Sequence, residues 1–119
     1  MMNDTEFKKN IVAFLQLLGR YRDEDVSIYN AMAPGYDQFS KEWDAFARPA
    51  LDYLLTQSAA RIDKNGRILD AGCGTGSRIP DILDHFQPSE LVALDISESM
   101  LDFARRKRHS NSVSFIHGK

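Results

Sequence analysis

The sequence predicts an α/β fold, the N-terminal half of a doubly wound parallel sheet (strands 1 to 3) preceded by a helical extension. Three observations predict it. From Arg67 onward, short apolar runs of strand length alternate with segments of helical period, in the order β-α-β-α-β. A glycine-rich turn, GCGTG at 72–76, lies between the first strand and the helix after it. Before Arg67 the apolar residues recur at helical spacing. Strands joined by helical crossovers pair in parallel with right-handed connections, so residues 67–119 read as a partial α/β domain and residues 1–66 as a helical N-terminal extension.

Residues 5–18 place Phe7, Ile11, Phe14, Leu15 and Leu18 on one helical face, and Gly19 follows as a stop. Asp25 is placed to cap a short helix, VSIYNAMA, that Pro34 and Gly35 end. A longer helical segment, DQFSKEWDAFARPALDYLLTQSAAR, follows, divided in two by Pro49. Within it Phe39, Trp43 and Phe46 have helical spacing and are assigned to the core. After the polar turn RIDKNG come the strand RILDAG, the helix SRIPDILDHF, the strand ELVALDI, the helix SESMLDFARRKR and the strand SVSFIHG.

A chain of 119 residues with 43% hydrophobic and 27% charged residues fits one globular domain. The net charge of −2 gives no electrostatic ground for a nucleic-acid partner. RRKRH at 105–109 sits where cations complement a helix C-terminus. The longest apolar runs, IVAFLQLL and ALDYLL, fall short of the roughly 20 residues that cross a bilayer, and MMNDTEFKK lacks a signal-peptide core. A cytoplasmic protein without a membrane partner is therefore expected. The single cysteine, Cys73, has no disulfide partner, and His85, His109 and His117 are too far apart in sequence to suggest a metal site, so none is assigned.

Gly72, Gly74 and Gly76 give a turn in which positive φ and close approach of a ligand to the main chain are both allowed. The helix that follows offers unpaired first-turn N–H groups to an anion, and Pro80 is tolerated there because it has no intrahelical bond to lose. A dinucleotide fingerprint starting at Gly72 needs glycine at 77, where Ser77 stands, and no G-K-[ST] of a P-loop occurs. Asp95 ends the second strand about 20 residues on, where an acid accepts hydrogen bonds from ribose hydroxyls and repels a 2′-phosphate. Ser97 caps the next helix, with Glu98 near its positive end. Cys73, inside the loop, reads as a small buried side chain rather than a nucleophile.

ILDAGCGTG followed by VALDIS and SESMLDFAR resembles the class I S-adenosylmethionine-dependent methyltransferases, a Rossmann-like fold. The resemblance puts Asp70, Gly72, Gly74 and Gly76 on the first cofactor motif and Asp95 on the ribose-binding acid. It also implies that Ile96 flanks the adenine, that Met100 packs near it, and that Lys119 stands where the family often has an acidic or small residue. YNAMAPGYDQF resembles the small-molecule branch that includes ubiquinone and menaquinone biosynthesis enzymes, with Tyr29 and Tyr36 at its aromatic positions and Asn30 in place of its first acid. In that branch the helical segment forms a lid over the cofactor. Tyr36 and Tyr29 then either contact its methionine portion or simply pack in the core of an amphipathic helix.

The family's sheet order, 3-2-1-4-5-7-6, leaves the outer edge of strand 1 without strand 4 in this chain. Three arrangements are expected for such an edge: continuation in a longer protein, cover by the N-terminal helices, or a homodimer whose copies pair their edges or swap elements. The acceptor pocket of the family lies beside strands 4 and 5, so no catalytic residue is assigned. The expected function is methyl transfer from S-adenosylmethionine to a small-molecule acceptor, with this chain supplying the cofactor half and inactive alone. The alternatives are a truncated, catalytically silent binding or self-association module, and an NAD-binding oxidoreductase domain that Ser77 disfavours.

Overall fold

The structure is a computed structural model that describes residues 24–118. The segment 5–18 and Lys119 lie outside the described residues. The elements are α1 (Glu24–Ala59), β1 (Arg67–Ala71), α2 (Ile79–Phe86), β2 (Glu90–Asp95), α3 (Glu98–Arg106) and β3 (Val113–His117). The three strands are parallel in the order β1-β2-β3, with Ile68 opposite Leu91, Leu91 opposite Val113 and Ala93 opposite Phe115. This is the half-sheet topology that the alternation of periods predicts.

One side of the sheet carries the core. Leu91 and Ala93 of β2 pack with Ile79 of α2, Leu101 of α3 and Cys73, and Ile68, Ile82, Leu83, Val113 and Phe115 close around them. The strand period of two sends the alternate residues to the other side. There Leu69 is 61% exposed and Ile116 49%, so among the described residues this side has no equivalent cover. β1 pairs with β2 on one edge and with no strand on the other among the described residues.

The later helices end where their sequences indicate. Pro80 sits in the first turn of α2, and Gln87 stops it in a left-handed conformation (φ 47°) before Pro88. Ser97 caps α3 through a hydrogen bond from the Met100 N–H at 3.2 Å. Arg105 and Arg106 occupy its last turn, and Arg105 donates to Glu98 at 2.7 Å.

The N-terminal region departs from expectation. α1 is one helix of 36 residues in which Pro34 and Pro49 are both interior and Asp25 lies inside rather than at the cap. A proline in a helix interior costs about 3 kcal/mol. Contacts to the rest of the molecule at Asn30 and Asp37 bracket Pro34, and those of Asp44 with Arg78 and of Arg48 with Asp81 stand just before Pro49. Phe39, Trp43 and Phe46 are not core residues: they are 57%, 59% and 81% exposed. The face of α1 that meets α2 and α3 is the one carrying Asn30, Asp37 and Asp44. Phe39 and Phe46 each lie two residues beyond one of these, about 200° around the helix.

Candidate functional site

All three glycines of the loop take positive φ, 83° at Gly72, 54° at Gly74 and 73° at Gly76. The loop is tied to the sheet, because the Gly72 and Cys73 N–H groups both donate to the Leu94 carbonyl, at 2.8 and 3.0 Å. Asp95 braces it from the end of β2. Its Oδ2 accepts from the Gly74 N–H at 2.7 Å and its Oδ1 from the Ser97 N–H at 2.8 Å. One carboxylate thus joins the loop to the start of α3 and still has acceptor capacity on both oxygens.

A cavity of about 380 Å³ opens at the carboxyl ends of β1 and β2. Gly72 and Gly74 give it a main-chain wall, Asp95 and Ile96 a floor, and Met100 an apolar side. Tyr29 and Tyr36 of α1 complete it, with the Tyr36 ring 3.8 Å from where a β-carbon on Gly74 would stand. The structure therefore gathers Tyr29, Tyr36, Gly72, Gly74, Asp95, Ile96 and Met100 around one space. Its size lies in the usual range of small-ligand sites, roughly 300–1,000 Å³.

Asp70 and Gly76 do not line that cavity. A β-carbon on Gly76 would stand 3.0 Å from Ile79 Cδ1 and 3.2 Å from Ala104 Cβ, so this glycine lets the loop pack on α2 and α3. Asp70 stands in β1, two residues before Gly72. Among the described residues its Oδ2 is buried without a hydrogen-bond partner, and burial, then the charge of Asp95, push its carboxyl above the ordinary range. Cys73 is buried too, and burial followed by the charges of Asp70 and Asp95 pushes its thiol up to about 12. A thiol held protonated in this way is no nucleophile at neutral pH.

The start of α2 faces elsewhere. Ser77 and Arg78 border a second, polar cavity of about 340 Å³ together with Asp37, Asp44 and Lys107. The carboxylates at this end of α2 meet guanidinium groups: Arg78 pairs with Asp44, and Arg48 donates to Asp81 at 2.8 Å and pairs with Asp44. The hydrogen bond from Arg48, then that from Arg78, hold the Asp44 carboxyl below its ordinary range.

Two cavity residues escaped the sequence reading, Leu94 and Gly118. Leu94 precedes the acid by one residue, and its carbonyl is what anchors the loop. Gly118 donates its N–H to the Asp95 carbonyl at 3.0 Å just after β3. Lys107, taken with its neighbours as a dipole-complementing charge, instead reaches back to Asp37 and to the Thr75 carbonyl at 2.7 Å. Among the described residues no helix is long and apolar enough to cross a membrane.

Residues 68–119 match a family model described as a methyltransferase domain. The chain is 33% identical over 87 residues to malonyl-(acyl-carrier protein) O-methyltransferase of Acetivibrio thermocellus, covering 73% of this chain and 29% of that one. It is 36% identical over 74 residues to trans-aconitate 2-methyltransferase of Acidovorax sp., covering 60% of this chain and 26% of the relative. Among solved structures, DhpI in complex with SAH aligns with a TM-score of 0.60 at 24% identity, over 78% of this chain and 42% of that one, a likeness of fold. The chain spans less than a third of the length of these curated relatives.

Proposed function

Because this chain carries part of a class I methyltransferase domain, we propose that its main cavity binds S-adenosylmethionine and that the whole protein transfers a methyl group to a small-molecule acceptor. The observation that carries this is Asp95. It stands at the end of β2 against a wall of glycine backbone, with lone pairs free after its bonds to Gly74 and Ser97. A vicinal diol suits that acceptor set, and a 2′-phosphate does not.

The remaining residues take roles by chemistry and position. Ile96 and Met100 offer apolar contact to an adenine ring, and Gly72 and Gly74 let the ligand approach the main chain. Tyr36 and Tyr29 close the side formed by α1 and keep water from the methionine portion. Asp70, outside the cavity lining, supports the fit: a cationic ligand nearby would offset both the cost of burying its charge and its repulsion by Asp95. The cofactor supplies an electrophilic sulfonium methyl, and these residues bind and orient it. In this reading residues 67–119 are the cofactor domain and residues 1–66 a helical extension acting as its lid.

The edge of β1 that is unpaired among the described residues fits continuation of the same sheet better than a homodimer. Pairing two edges would leave the side with Leu69 and Ile116 uncovered, whereas further strands with their helices cover both. The acceptor pocket and any general base then belong to that continuation. A buried free thiol, Cys73, suits a reducing compartment such as the cytoplasm.

Calorimetric titration of the chain with S-adenosylhomocysteine and, separately, NAD tests the reading. S-adenosylhomocysteine should bind and NAD should not. Binding of NAD alone would replace this reading with that of an oxidoreductase domain.

A further inference from the structure

Asn30, Asp37 and Asp44 of α1 stand seven residues apart and so share one face of the helix. Each is fastened to a different part of the molecule. Asn30 Oδ1 accepts from the Ser97 hydroxyl at the start of α3, at 2.6 Å, and Asp44 pairs with Arg78 at the start of α2. Asp37, between them, reaches the glycine loop itself. Its Oδ1 accepts from the Thr75 hydroxyl at 2.5 Å and from Lys107 Nζ at 3.0 Å, and Lys107 Nζ also donates to the Thr75 carbonyl at 2.7 Å. Asp37, Thr75 and Lys107 therefore close a ring through α1, the loop and the end of α3. Thr75 is buried and stands between Gly74 and Gly76, while the residue before Asp37 is Tyr36, which rests on Gly74.

We propose that Asp37 is a positioning residue for the cofactor: through Thr75 and Lys107 it seats Tyr36 against Gly74 and so sets how long the bound cofactor is retained. The inference rests on the reading of the cavity as an S-adenosylmethionine site. Asp37 does not line that cavity, so its effect runs through the ring. Burial pushes its carboxyl up, but the hydrogen bonds from Lys107 and Thr75 outweigh this and leave it below the ordinary range, ionised whenever the pair with Lys107 is needed. Asp37 and Lys107 remain 41% and 33% exposed, so water competes for their contacts.

The test times release of S-adenosylhomocysteine from the full chain by displacement. Asp37→Asn keeps an acceptor for Thr75 but removes the charge, and Lys107→Met breaks the same pair from the other side. Each is expected to release the ligand about fivefold faster, with little further gain in the double variant, the behaviour of one partly exposed pair. The unliganded melting midpoint should stay near that of the wild type, and Arg48→Met, which opens the neighbouring Asp44 and Asp81 cluster, should leave release unchanged. Added salt should speed release in the wild type and not in Lys107→Met. If Asp37→Asn does not fold, Lys107→Met carries the comparison. Equal release rates in all variants overturn the inference while leaving the cavity's reading intact; a wild-type chain that binds no S-adenosylhomocysteine overturns both.

Discussion

The sheet with α2 and α3 is held by apolar burial, whereas α1 is held to that unit by polar side chains. Leu91, Ala93, Ile79 and Leu101 lose all contact with water in the first region. In α1 the only fully buried apolar side chain among the described residues is Ala33, and Phe39, Trp43 and Phe46 are more than half exposed. Burial of an apolar side chain is worth about 1.5–3 kcal/mol, while a partly exposed ion pair is worth about 0–1 kcal/mol. The loop and Asp95 thus stand on the firm region, and the tyrosines that close the cavity stand on the one that can be released.

Truncation separates the two regions most sharply. Leu91→Ala should destabilise the chain by about 3 kcal/mol in a denaturant titration, and Phe46→Ala by no more than about 0.5 kcal/mol. A large loss at Phe46 would mean that the outer face of α1 is covered. Two glycine substitutions give the next effect, and with opposite signs. Gly76→Ala forces a β-carbon onto Ile79 and Ala104 at a φ of 73° and should cost about 2 kcal/mol. Gly35→Ala, inside α1 with nothing within 4 Å, should stabilise by about 0.8 kcal/mol.

The smallest effect is that of acid. Asp37 has a folded-state pKa below its ordinary value of 3.8, despite its burial, because of Lys107 and Thr75. A carboxyl lowered on folding contributes stability in full above 3.8 and loses it as the pH falls through the lowered value. Asp44 follows the same sign, held low by Arg48 and Arg78. Below that pH, hydrogen exchange should show α1 amides losing protection before those of β2. Simultaneous loss in both regions would contradict their separation.

The same contrast decides what the sequence discloses. Period-two and helical patterns are local records of apolar burial, so β1, α2, β2, α3 and β3 are legible from Arg67 onward, as are the cap at Ser97 and the left-handed glycines. In α1 the periodicity of Phe39, Trp43 and Phe46 shows that a stripe exists and not which side of the helix docks. The docking contacts join residues as far apart as Asp37 and Lys107, and no local spacing announces a pair of that kind. Pro34 and Pro49 are helix breakers by propensity, yet both lie inside one helix whose contacts run to distant segments. The site divides likewise. The glycines and Asp95 follow from spacing, whereas Leu94 and Gly118 contribute through main-chain position after their strands, which their side chains do not reveal.

The central claim, that Asp95 receives the ribose of S-adenosylmethionine, is tested most directly by calorimetric titration of Asp95→Ala with S-adenosylhomocysteine beside the wild type. The loss of a charge-assisted hydrogen-bond acceptor should weaken binding by about 1.5–3 kcal/mol, with the fold retained by circular dichroism. Equal affinity in a folded Asp95→Ala chain would contradict the assignment.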